Sequence, residues 1–430
     1  MPDNLSLKVI KFEPRIARIL LIAAVILCVI GAWFFIKWNF ANVVASRLDV
    51  KRVELKPVAD WLIAMAPSDP QTHFSAARLF EKTFDAGDLQ RSLSEYEMAA
   101  ALSPENFMRW VDLGKARNLN GDVEGALAAY ARAHDLAPNY ASVQWVYGNA
   151  LIRQGDADAG FPLIANAAAS NPDYAQPAAL TALQIFDGDV EKVLRGLGDA
   201  DATNAALAGV LALQGHFDRA YFAWSKLSTL DSAKSKQLGA TLIEKFTAAK
   251  QFQLAAKVAA GLRPADKLVI EQVSNGGFEN GVKLRDAGLF EWQIAEGTQP
   301  EIGLSEGGAH DGKYALSLMF RTFEMAAFRS ISQTVAVAPG SEYEFSAYYR
   351  SDVKTAASLK WEIANAMTTL PLARTSPMVP SDDWTLLNVR FRVPADSDGI
   401  IIRLVREGCA GPSCPVNGNL SIDDISIRRL

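Results

Sequence analysis

Histidine and cysteine are scarce, with four and three in 430 residues. His73, His134, His216 and His310 are far apart, and none has a cysteine or acidic partner at metal-ligand spacing, which argues against a transition-metal centre. Catalytic signatures are missing too: there is no GxSxG elbow, HExxH, phosphate loop or dinucleotide fingerprint. The acidic pairs Asp382-Asp383 and Asp423-Asp424 are adjacent, so on a strand their side chains point to opposite faces and do not flank a glycosidic bond together. These absences predict a protein that is not an enzyme. Positive charge is not in excess either. The net charge is −5, and residues 268–430 hold 15 Lys/Arg against 20 Asp/Glu, so nucleic acid is not an expected partner.

Long apolar runs are absent except for one. Ile19–Ile36 carries no charge, and its 18 residues span about 27 Å as a helix, close to a bilayer's hydrocarbon core. Trp33, Phe34, Phe35 and Trp38 crowd its far end like an interfacial aromatic belt, while Lys8, Lys11, Arg15 and Arg18 precede it. The expected topology is a cytoplasmic tail (1–18), one transmembrane helix (19–38) and the bulk of the chain outside, in the periplasm of a bacterium with this helix in its inner membrane. The alternative is a signal peptide cleaved after Ala45. Cys28 lies within the run. Cys409 and Cys414 frame a short loop, and in an oxidising compartment they would form a local disulfide.

What the chain does have is a period. Pro70, Pro104, Pro138 and Pro172 recur at an interval of 34 residues, joined by Gly87, Gly121 and Gly155, by Tyr96, Tyr130 and Ile164, and by Ala99, Ala133 and Ala167. The period predicts helix–turn–helix units, with glycine at the turn because it adopts a left-handed backbone without steric cost. Trp110, Leu113, Gly114, Ala126, Tyr130, Ala133 and Pro138 in 107–140 resemble the tetratricopeptide repeat (TPR) family, with weaker matches in 73–106 and 141–174, where Gly160 and Ile164 replace the usual alanine and aromatic residue. A capping helix is expected in 39–69, and degenerate units in 177–262, so that the helical array covers 70–262. The resemblance implies a concave face that receives a protein partner, with Glu81, Lys115, Asn118, Trp145, Asn149 and Arg153 as candidates. The plainer alternative is that residues such as Val111 and Trp145 pack between helices.

Beyond Arg263 the pattern changes to period two. Tyr343, Phe345, Ala347 and Tyr349 alternate with polar neighbours, as do Leu387, Val389, Phe391 and Val393, which predicts half-buried strands of an antiparallel β-sandwich over 268–430. Asn275-Gly276-Gly277-Phe278-Glu279, His310-Asp311-Gly312-Lys313-Tyr314 and Ser421-Ile422-Asp423-Asp424 resemble the jelly-roll carbohydrate-binding modules of the galactose-binding-like superfamily. The resemblance implies a glycan ligand and a structural calcium ion, for which Glu279 and Asp424 are candidates. Glycan contacts are expected from Trp292, Tyr348 and Trp361, with Arg350 and Glu362 as hydrogen-bonding partners, although each aromatic taken alone also suits a core. Trp384 reads as core. The expected whole is a membrane-anchored scaffold in three parts: a single span, a TPR-like α-solenoid and a jelly roll. Its expected role is linked to export or assembly of a surface polysaccharide. The alternative is an envelope assembly factor that binds protein only.

Overall fold

The computed structural model describes residues 14–49, 52–83, 85–230, 232–263, 268–324, 328–408 and 413–430. The chain forms two compact units, 1–178 and 179–430. The first opens with α1 (Pro14–Ser46), whose apolar window has a mean hydropathy of 3.0 and is wholly exposed. After it come α2 (Lys56–Met65), α3 (Pro70–Glu81), α4 (Asp88–Leu102), α5 (Phe107–Leu119), α6 (Val123–Leu136), α7 (Ala141–Arg153) and α8 (Ala157–Ser170).

The repeat residues do the work expected of them. Gly87, Gly121 and Gly155 have φ of 86°, 80° and 89°, the left-handed region at each hairpin turn. Asp69, Asn106, Asp122 and Asp156 cap α3, α5, α6 and α8 by accepting backbone N–H bonds from the first helical turn. Ala99 and Ala133 are fully buried at helix crossings. Gly160 has a steric reason: a Cβ there would meet the Gly148 carbonyl oxygen at 2.7 Å, so α7 and α8 touch backbone to backbone. The end of α1 belongs to this unit. Ala41 and Ala45 are buried against Leu62 and Ala66, and Asn42 donates to Asp69 Oδ1 at 2.9 Å.

The helix α9 (Ala175–Ile185) crosses into the second unit, which continues with α10 (Val190–Leu197), α11 (Asp201–Leu213), α12 (Phe217–Ser225), α13 (Ala233–Ala248) and α14 (Phe252–Leu262). The strands are β1 (Gln293–Ile294), β2 (Glu301–Glu306), β3 (Tyr314–Glu324), β4 (Ile331–Ala336), β5 (Glu342–Ser351), β6 (Lys354–Thr355), β7 (Ser358–Asn365), β8 (Pro371–Arg374), β9 (Ser381–Arg392), β10 (Gly399–Glu407) and β11 (Ser413–Arg429). They form two antiparallel sheets, ordered β1-β4-β10-β7-β8 and β2-β3-β11-β5-β9, with β6 beside β11. Alternation sets the faces: Tyr343, Phe345, Ala347 and Tyr349 of β5 are buried, and Glu344, Ser346, Tyr348 and Arg350 face outward.

The helix α14 is fastened to the sandwich. No side chain of its own caps α14. Asp398, in the turn before β10, accepts from Phe252 N at 3.0 Å and Gln253 N at 2.9 Å, and Gln253 Nε2 donates to the Val337 carbonyl at 2.9 Å. A Cβ on Gly399 would meet the Phe252 ring at 2.6 Å, so the close seat of that ring requires glycine.

Candidate functional site

On the outer face of the sheet containing β5, β9 and β11, four side chains from three segments meet. Tyr348 stands outward on β5, opposite Leu386 of β9 and Asp423 of β11. The His310 ring, from the loop before β3, stacks on Tyr348 with centroids 3.6 Å apart and planes 15° apart. Trp384 meets His310 edge-on at 5.8 Å, and the Arg350 guanidinium lies 5.4 Å over the Trp384 ring. The cluster is half-buried, so ring edges and the guanidinium reach solvent. An aromatic surface with one cation and one imidazole can take the apolar face of a sugar ring and bond its hydroxyls.

Two acidic residues hold His310 in this position. Between Asp423 and Ser426 the register of β11 with β5 shifts, and Asp424 has φ of 49°, so the bulge turns its carboxylate toward His310. Asp424 Oδ2 then lies 2.5 Å from His310 Nδ1. Asp423 is fully buried and accepts from the His310, Asp311 and Asp424 amides. Burial raises its carboxyl above the usual range, and the three N–H donors only partly offset that. Glu279 Oε1 pins the other end of the loop, accepting from Lys313 N at 2.8 Å and Tyr314 N at 2.9 Å.

The structure thus gives the expected calcium carboxylates other partners. Glu279 and Asp424 clamp the His310 loop through N–H donors, and among the described residues no group of three acidic, histidine or cysteine side chains is placed to hold a metal ion.

Of the five expected glycan contacts, Tyr348 and Arg350 come together in the cluster. Trp292 and Trp361 do not: they are 3% and 0% exposed, and their rings meet at 6.0 Å in the sandwich core. Trp361 follows the inward parity of β7, and Trp292 donates Nε1–H to the Asn275 carbonyl at 3.0 Å. Glu362 lies on the outer face of the other sheet but is only 2% exposed, because Arg374 Nε and Arg403 Nε donate to its two oxygens at 2.7 and 2.6 Å. Both oxygens are occupied by ion pairs, so Glu362 is not free for a ligand hydroxyl. Trp384 is the reverse correction. It is half-exposed, since its even position opposes the inward Leu387 and Phe391. That parity was readable in the sequence, whereas the approach of His310 required the loop's path.

The expected concave residues of the first unit have mixed surroundings. Lys115, Asn118 and Arg153 are exposed. Glu81 accepts from Tyr96 Oη at 2.8 Å, and Asn149 donates to the Trp145 carbonyl of its own helix. Trp145 is covered on one face by Tyr174, stacked at 5.0 Å, and Val111 is core. The sequence did not single out Arg109, whose guanidinium lies 3.6 Å over the Phe74 ring and donates to Gln71. It also missed Asp112, whose carboxyl burial raises above the usual range. Cys414 is disulfide-bonded and Cys28 is free; Cys409 lies outside the described residues.

The family model described as a carbohydrate binding domain matches residues 271–407, from before β1 to the end of β10. No curated protein matches the chain. Among solved structures, TmCBM61 in complex with β-1,4-galactotriose is similar at 17% identity and a TM-score of 0.27, over 36% of this chain and 96% of that one. The CBM22-1 xylan-binding domain of Paenibacillus barcinonensis Xyn10C is similar at 14% identity and a TM-score of 0.24, over 33% and 88%. YrrB, a TPR protein with an unusual peptide-binding site, is similar at 13% identity and a TM-score of 0.25, over 49% and 94%. Residues 271–407 thus match a carbohydrate-binding family model in sequence.

Proposed function

We propose that this chain is a single-pass membrane protein whose extracytoplasmic sandwich binds glycan through Tyr348, His310, Trp384 and Arg350, while its helical repeats hold a protein partner. The observation that carries the reading is the half-exposed aromatic cluster, on a domain whose sequence matches a carbohydrate-binding model. It is a binding role, without catalysis by this chain. The basic residues ahead of the apolar run support a cytoplasmic N-terminus with the bulk outside, which in a bacterial inner membrane is the periplasm. Retention of that segment is favoured over cleavage after Ala45. Ala45 is helical and 2% exposed, and cutting there would strip Ala41 and Ala45 from Leu62 and Ala66. A scaffold of this kind suits export or assembly of a surface polysaccharide.

The test is a glycan array on the detergent-solubilised chain, followed by calorimetry on any ligand found. Trp384→Ala and Tyr348→Ala are each expected to weaken binding about tenfold, or about 1.4 kcal/mol. Silence across neutral and acidic polysaccharides overturns the glycan assignment and leaves a protein-binding assembly factor.

A further inference from the structure

The exposed apolar surface of α1 does not end with its charge-free run. Trp33, Ile36, Phe40 and Val43 follow one another at spacings of three and four, and all four are exposed, so one stripe continues past the run into the part of the helix that packs on the first unit. Phe40 lies four residues beyond Ile36, about 6 Å along the helix axis. That is within the headgroup layer, which adds about 5–8 Å to each side of the hydrocarbon core. At this level a second element joins the stripe. Trp61 of α2 places its ring edge-on to Phe40 with centroids 6.1 Å apart. Trp61 is 49% exposed and Phe40 52%. The neighbours of Trp61 in α2, Ala59 and Leu62, are buried and fasten the helix to the unit, so its own exposure adds nothing to the core.

We infer that the capping helix α2 rests on the membrane, with Trp61 in the lipid headgroup layer beside Phe40. The chain then meets the bilayer at two places, the span and the capping helix ahead of the repeat array. Tryptophan is the side chain that suits that layer, with an apolar body and one N–H donor for hydrated headgroups. The occupant of the surface is lipid because the surface continues, ring against ring, from the span. This inference rests on the membrane-anchored reading above.

The test uses the full chain with Cys28→Ser, reconstituted into vesicles of phosphatidylcholine and phosphatidylglycerol, with a nitroxide at Trp61→Cys or, for reference, at Leu119→Cys. Leu119 is an exposed apolar position at the end of α5. The label at 61 is expected to collide several-fold more with oxygen, relative to a water-soluble nickel chelate, than the label at 119. Equal ratios in protein that floats with the vesicles overturn the inference and leave the anchor standing. Protein that does not float overturns both. An independent measurement avoids the label: brominated lipids should quench the tryptophan fluorescence of the unmodified chain more than that of Trp61→Phe, and equal quenching overturns the inference.

Discussion

Gly148 sits where two backbones touch. A Cβ there would lie 2.8 Å from the Gly160 carbonyl oxygen and 2.9 Å from Ile164 Cγ1. A backbone carbonyl does not swing aside as a side chain does, so overpacking of about 1–3 kcal/mol outweighs the roughly 1 kcal/mol by which alanine favours a helix. Gly148→Ala is expected to lower the melting temperature of the chain, whereas an alanine at exposed Ser170 is neutral. The corner around Glu279 makes a second prediction at this scale. It is held by backbone N–H donors, so thermal melting should be the same in calcium and in EDTA. A calcium-dependent rise of several degrees would carry the calcium reading instead.

Between elements, single carboxylates do most of the joining. Asp398 caps a helix about 145 residues before it in the chain, so Asp398→Ala is expected to cost about 1 kcal/mol. Hydrogen exchange should speed up at the Phe252 and Gln253 amides and stay unchanged in the β5–β9 ladder; a uniform change would mean that the contact does not localise to this joint. His73 joins α3 to α4. It is buried, with Nδ1 2.5 Å from Glu95 and Nε2 2.9 Å from the Pro67 carbonyl. Burial alone would lower its pKa, but Glu95 and Pro67 raise it above the ordinary histidine value. The imidazolium is therefore bound more tightly in the folded state. Its stabilisation is complete below about pH 6.5 and is lost as pH rises through the raised folded value. Chemical denaturation should show falling stability from pH 6 toward pH 8, and His73→Gln should flatten that slope.

Over the whole molecule, what was legible in the sequence is what repeats. The 34-residue period located the hairpins because each glycine and each crossing residue answers a local steric need. Period two sorted the faces of β5 and β9, and it contained the outward position of Trp384 as well. The candidate site was only half legible. Tyr348 and Arg350 share one strand, but His310 arrives from a loop held by carboxylates 31 residues before it and 114 residues after it. Glu362 misled for a related reason: an outward-facing carboxylate reads as available until two arginines on other strands close over it. Pairings across the sheet leave no spacing signal. The end of α1 was hidden in the same way, since Ala41 and Ala45 look unremarkable until Leu62 is packed against them.

That junction has a mechanical consequence. Only four residues, 37–40, lie between the end of the charge-free run and the first buried contact of α1, and all four are helical. On the membrane-anchored reading proposed above, no flexible linker separates the bilayer from the first unit. A helix tilts when the bilayer around it becomes thinner than its apolar length. On that reading any such tilt would turn the first unit through the same angle, so lipid thickness would set the direction in which its hairpins face.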